Sequence, residues 1–322
     1  MSRVWFLAAT LLLSMAVPSV LTRLEMAPRW KARLAFLALA GITATSAAFL
    51  AALFLPEVLS ASGLQQVWAL CSQAFRAILR HPLERAPSVV AGVALAVVLG
   101  RLFWSLLWGA RTVRRARICG AEPACMLASG APVYVVPIDH PEAYSVGARR
   151  GQVVVSRGLL EFLDTDERRA VLLHEEGHLR ARHQKLLLLG RACLSALKPL
   201  PPAEVSMALL ERAVEESADE YAASKLGTAG PVATGLTKVA LAELRSPVGA
   251  VALSGTGDVP ARVRRLLDPP IVPSWVPAVS VVVAGVLLGL VAVSQAIAGV
   301  ALLAAAHHVL GFGVAALCPF SR

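Results

Sequence analysis

His174, Glu175 and His178 carry the clearest chemistry in the chain, within Leu172-Leu173-His174-Glu175-Glu176-Gly177-His178-Leu179. Two histidines four residues apart sit one above the other on a helix face. Their imidazoles can grip one divalent metal ion, usually zinc. Glu175 follows His174 directly, so it projects beside such an ion rather than onto it. There it can take a proton from a water that the metal activates. Zinc needs a further protein ligand, and Glu215-Glu216-Ser217-Ala218-Asp219 offers carboxylates for it. Glu215 and Asp219 are four apart and share a face. One could bind the metal while the other accepts the remaining N–H of a ligating histidine and fixes its tautomer.

Elements must hold these groups together. Asp164-Thr165-Asp166-Glu167 has the form of a helix N-cap with Glu at the third helical position. The helix it opens is predicted to carry the H-E-x-x-H and to run past His183. An apolar patch at 186–197, broken by Arg191, is stopped by Pro199, Pro201 and Pro202. It is too short to span a bilayer and is expected against the membrane face or in the domain core. A second helix is predicted over 203–226, ended by Gly227-Thr228-Ala229-Gly230-Pro231, a third over 232–244, and a short basic helix over 261–268 before Pro269 and Pro270. Residues 132–136, 143–146 and 152–156 read as strands, the last two joined by a turn at 147–151. A substrate backbone would pair with an edge of this small sheet, assigned to residues 152–156.

The 322 residues are 57% hydrophobic and 16% charged, against roughly 25% charged in soluble domains. That is a membrane composition with a more polar portion embedded in it. The net charge of +10 falls largely beside apolar segments, and no interleaved aromatic platform accompanies it. It therefore fits anionic lipid and the positive-inside rule rather than nucleic acid. Spans are predicted at about 4–21, 34–55 and 88–109, with another at about 276–297, giving about four transmembrane helices. Arg101 inside the third implies a bundle-facing position or a shifted boundary. Basic residues at 23–33 and 111–117 place those segments in the cytoplasm, with the N-terminus outside and the mixed segment 56–87 outside. The expected organisation is three membrane helices in 1–110, a globular domain carrying the H-E-x-x-H in 111–270 and one or more C-terminal spans in 271–322. Five cysteines without a C-x-x-C pair argue against a disulfide framework or a cysteine zinc site. Cys119 and Cys125 are close enough to bridge, but a cytoplasmic setting keeps them reduced.

With H-E-x-x-H followed downstream by E-x-x-x-D, the chain resembles membrane-bound gluzincin metallopeptidases. These are peptidase family M48 (CAAX prenyl protease and HtpX types) and family M56 (BlaR and MecR antibiotic-sensor types). The resemblance extends through Ala143-Tyr144-Ser145-Val146-Gly147, Val153 to Leu160, Ala170 to Glu175, Arg182-His183 and Arg262 to Leu267, covering about 133–268. It implies a mainly α membrane protein with an α+β insert, a small zincin-like (minigluzincin) domain with a short β-sheet. It implies one Zn2+ held by His174, His178 and Glu215, Glu175 as general base and then proton donor, and Asp219 as partner of a ligand histidine. Glu216 lacks the E-x-x-x-D spacing. His183, five after His178, is expected to be structural and off the ligand face. The Asn that often opens the M48 strand motif is missing here. Tyr134, Tyr144, Tyr221 and Arg262 are candidates for stabilising the oxyanion.

The function these residues imply is an integral-membrane zinc endopeptidase. Its partners would be protein or peptide substrates and the lipid bilayer, and its catalytic domain would be cytoplasmic. Rival readings are a BlaR-type sensor whose proteolysis is the signalling output, and a membrane scaffold with a vestigial site. Ser195-Ala196-Leu197-Lys198 has the S-x-x-K form of penicillin-binding serine enzymes. It lacks companion motifs and reads as a chance match. His307-His308 read as interfacial polar residues.

Overall fold

The structure is a computed structural model describing residues 2–61, 82–115, 122–127, 129–147, 151–198, 200–245 and 259–270. Helices α1 (Ser2–Arg23), α2 (Pro28–Ala61) and α3 (Pro82–Arg115) precede strands β1 (Glu122–Met126), β2 (Pro132–Val136), β3 (Ala143–Val146) and β4 (Gln152–Ser156). Helices α4 (Arg157–Phe162), α5 (Thr165–Ala181), α6 (His183–Leu197), α7 (Pro201–Leu226), α8 (Gly230–Arg245) and α9 (Val259–Leu267) follow.

Among the described residues, two stretches are long and apolar enough to cross a membrane, Pro28–Ala51 in α2 and Val89–Gly109 in α3. Both helices overrun the predicted spans, so residues 56–61 and 82–87 are helical rather than irregular. The expected span at 276–297 and His307-His308 lie outside the described residues. Arg101 is exposed, and its Nη1 donates to the Lys198 carbonyl at 3.3 Å, at the end of α6. The apolar patch of α6 packs on α2 and α3.

The larger core joins these helices to the polar part. Met26, Leu39 and Ile42 are fully buried together with Leu210 and Val214 of α7. Alanines 203, 213, 218 and 222 of α7 are fully buried as well, and such small side chains let neighbouring helices approach closely. A second core lies under the sheet, where Val133, Val153 and Val155 meet Leu159 and Leu163, with Val171, Leu172 and Leu179 of α5 against them.

The sheet order is β1-β2-β4-β3. β2 and β4 are parallel, and β1 and β3 pair antiparallel at either side. This corrects the edge assigned to residues 152–156. β4 is an inner strand, and β1 and β3 are the edges. The physical reason lies in its side chains: Val153, Val154 and Val155 are all buried. A continuous β-branched run without polar alternation belongs to a strand covered on both faces.

α5 begins as its sequence predicts. The Asp164 side chain accepts from Glu167 N at 2.9 Å and the Glu167 carboxylate accepts from Asp164 N at 3.1 Å, closing a capping box. Its end differs from expectation. The helix stops at Ala181, Arg182 takes a left-handed conformation (φ 55, ψ 39), and α6 starts at His183.

Candidate metal centre

α5 and α7 cross closely because Gly177 has no side chain. A Cβ there would lie 3.2 Å from Tyr221 and 3.3 Å from the Ala218 backbone. The crossing brings the three expected ligands together. His174 Nε2 lies 3.0 Å from His178 Nε2, 3.5 Å from Glu215 Oε2, and His178 Nε2 is 3.6 Å from Glu215 Oε1. Zinc bonds of roughly 2.0–2.1 Å in a tetrahedron separate the ligand atoms by about 3.3 Å. The three separations bracket that edge, so this donor set fits one tetrahedral cation. The side chains are partly covered, at 16%, 12% and 38% exposure.

Behind these candidate ligands stand their partners. His174 Nδ1 is 2.9 Å from Asp219 Oδ1. Asp219 is gripped by Arg262 of α9, whose Nε and Nη2 donate at 2.7 and 2.8 Å. Arg262 Nη1 also lies 3.3 Å from Glu215 Oε2. Of the four oxyanion candidates, Arg262 thus braces the two carboxylates. Tyr221 has Arg180 and Lys225 over its ring, each 5.8 Å from the centroid. Tyr144 stands exposed on edge strand β3, and Tyr134 lies partly buried on β2. Glu216 turns away from the histidines and pairs with Arg212 at 2.8 Å and Arg265 at 3.5 Å.

Glu175 is buried beside His174. Burial pushes its carboxyl above the usual range, against the pull of the His174 charge and of hydrogen bonds from the Ser145 side chain and backbone. Burial opposes a charge on His174, but the hydrogen bonds it donates to Asp219 and Glu215 outweigh burial and hold the imidazole up to about 10. Burial and the neighbouring His174 charge push His178 down to about 3, and burial takes His183 down to about 4. Glu215 falls below the usual carboxylate range: burial raises it, yet hydrogen bonding and charge from His174 prevail. The two carboxylates thus favour a positive charge at His174, while burial and that charge disfavour a second one at His178.

Three residues here were not expected from sequence. His183, assigned a structural place, puts its Nδ1 3.0 Å from His178 Nδ1. Ser145 holds Glu175. Gln184 donates to the Ser145 carbonyl and accepts from Gly147 N at 3.1 Å, tying α6 to β3. No Gly or Pro in Ala181-Arg182-His183 signals the helix break that delivers two of them.

The sequence profile of peptidase family M48 matches residues 124–269. The chain is 43% identical over 58 residues to a protease HtpX homologue of Thermoplasma acidophilum, covering 17% of this chain and 18% of that protein. It is 42% identical over 52 residues to protease HtpX homologues of Aquifex aeolicus and of a Sulfurihydrogenibium species. These aligned stretches are under a fifth of each relative's length. No solved structure matches the chain significantly. The profile match, the similarity to HtpX proteases and a metal-competent His-His-Glu cluster inside the matched region point the same way: residues 124–269 are similar to the metallopeptidase domain of peptidase family M48.

Proposed function

We propose that the protein is a multi-pass membrane zinc endopeptidase. Its peptidase domain, about 111–270, lies on the cytoplasmic side between membrane helices in 1–110 and 271–322. The observation that carries this is the convergence of His174, His178 and Glu215 on one point with tetrahedral separations. When bound there, zinc supplies a Lewis acid that polarises a carbonyl and brings the pKa of water to about 7.

The residues of the chain do the rest. Glu175, with its raised pKa and its hydrogen bonds from Ser145, takes the proton of the attacking water. It returns that proton to the departing nitrogen. Asp219 orients His174 and Arg262 fixes Asp219. The substrate backbone adds to the outer edge of β3 rather than to β4. Ser156 N donates to Glu142 O, so alternation turns Ala143, Ser145 and Gly147 toward the open side. Gln184 takes up that side at Ser145 and Gly147, so the substrate pairs first at Ala143. Nothing specific favours the sensor reading, since the matches are to peptidase family M48 and to HtpX proteases.

The test is purified full chain in nanodiscs with unfolded membrane-protein fragments as substrate. Wild type should hold one zinc per chain and cleave. Glu175→Gln should keep the zinc and lose cleavage. Cleavage at the wild-type rate in Glu175→Gln, or wild type without zinc, would overturn the proposal.

A further inference from the structure

The junction of α5 and α6 turns on Arg182, the one non-glycine residue with positive φ among the described residues. In an unbroken α-helix a residue five positions on lies about 140° around the axis, so His183 would face away from His178. The break undoes that geometry. His183 is buried at 4% exposure, its Nδ1 is 3.0 Å from His178 Nδ1, and the two rings meet at 82°. A side-chain-bearing residue pays roughly 1–2 kcal/mol for the left-handed conformation, and Gly would not. Backbone strain of this kind persists where the surroundings require it and points toward function.

Hydrogen placement follows from the ligand geometry. His178 turns Nε2 toward His174 and Glu215. A metal bond at Nε2 needs the lone pair there, so the proton sits on Nδ1 and must be donated. The atom within reach is His183 Nδ1. His183 therefore accepts, and its own proton lies on Nε2. The two histidine ligands are held differently: His174 by the carboxylate of Asp219, and His178 by an imidazole.

We propose that His183 is a positioning residue for the metal site. It accepts the His178 Nδ1–H and so fixes the tautomer that presents Nε2 to the cation. This rests on the zinc reading above. Removing the partner of a ligating histidine lowers metal affinity about 10–100-fold.

The experiment uses full chain in nanodiscs. Zinc affinity is measured by chelator competition, and site geometry by the visible absorption of the Co2+-loaded protein. His183→Leu should keep the wild-type melting curve, bind zinc about 10–100-fold more weakly and shift the Co2+ bands. His183→Asn, whose Oδ1 falls near the Nδ1 position, should restore most of the affinity and the wild-type bands. Should the Leu variant fail to fold, His183→Met, of similar volume and with only a weak acceptor, replaces it with the same expectation. A folded Leu or Met variant with wild-type affinity and bands would overturn the proposal. So would an Asn variant as weak as Leu, since shape alone would then explain the loss. Wild type that binds no zinc would remove the metal reading itself, and this is scored separately from the variants.

Discussion

The two faces of α7 present neighbouring glutamates that do opposite work. Glu215 looks toward α5, 38% exposed, with its oxygens 3.5 and 3.6 Å from the two imidazoles. Glu216 is 4% exposed and enclosed by Arg212 and Arg265. Lys31 of α2 lies within its electrostatic reach. Arg265 also reaches the Met26 carbonyl at 3.4 Å, so this face ties α9 and the α1–α2 junction to the ligand helix. Each residue turns the helix by about 100°. One step in sequence therefore separates a carboxylate open to a cation from one neutralised by guanidinium groups. Disturbing the first face should change chemistry, and disturbing the second should change stability.

The largest effect is expected opposite the first face. Glu175→Gln should lower kcat by about 10²–10⁴-fold with zinc content unchanged, checked by peptide cleavage alongside elemental analysis. Next comes the support of that face. Asp219→Asn loses the charge that Arg262 grips and His174 leans on, and zinc affinity should fall about 10–100-fold in chelator competition.

The proton on His174 gives a smaller and graded effect. Its folded value is raised from 6.5 to about 10. In the metal-free protein this group therefore contributes stability that is fully present below pH 6.5 and is lost as pH rises toward 10. Zinc must displace that proton. Affinity should thus rise about tenfold per pH unit across neutral pH, and titration calorimetry in buffers of different ionisation enthalpy should register the released proton. The smallest change at the metal is expected on the second face. Glu216→Gln should cost about 1–3 kcal/mol of stability in thermal melts while zinc stoichiometry stays at the wild-type value.

Sequence made the site more legible than the surroundings that orient it. Helical spacing alone put His174 with His178 and Glu215 with Asp219 on common faces, and the capping signal at Asp164 marked where α5 begins. Such signals are local. The strand positions at 132–136, 143–146 and 152–156 were also readable, but their order was not, because pairing is decided by contacts distant in the chain. β1 carries Pro123 and an exposed, irregular register, so no alternation announced it. The structural place expected for His183 is compatible with its burial, but its contact with His178 depends on a helix break that the sequence does not mark. Arg182 enters the left-handed region without the Gly or Asn that usually marks such a stop. Arg262 is 43 residues from Asp219 in sequence, and only the fold of α9 against α7 reveals that it serves the carboxylates.

The most direct measurement is zinc per chain in purified wild type, Glu215→Ala and Glu216→Ala, each confirmed folded by its melting curve. The expected result is one zinc in wild type and in Glu216→Ala, and none retained by Glu215→Ala. Full zinc occupancy in Glu215→Ala, or loss confined to Glu216→Ala, would contradict the assignment of α7's two faces and of the metal centre built on it.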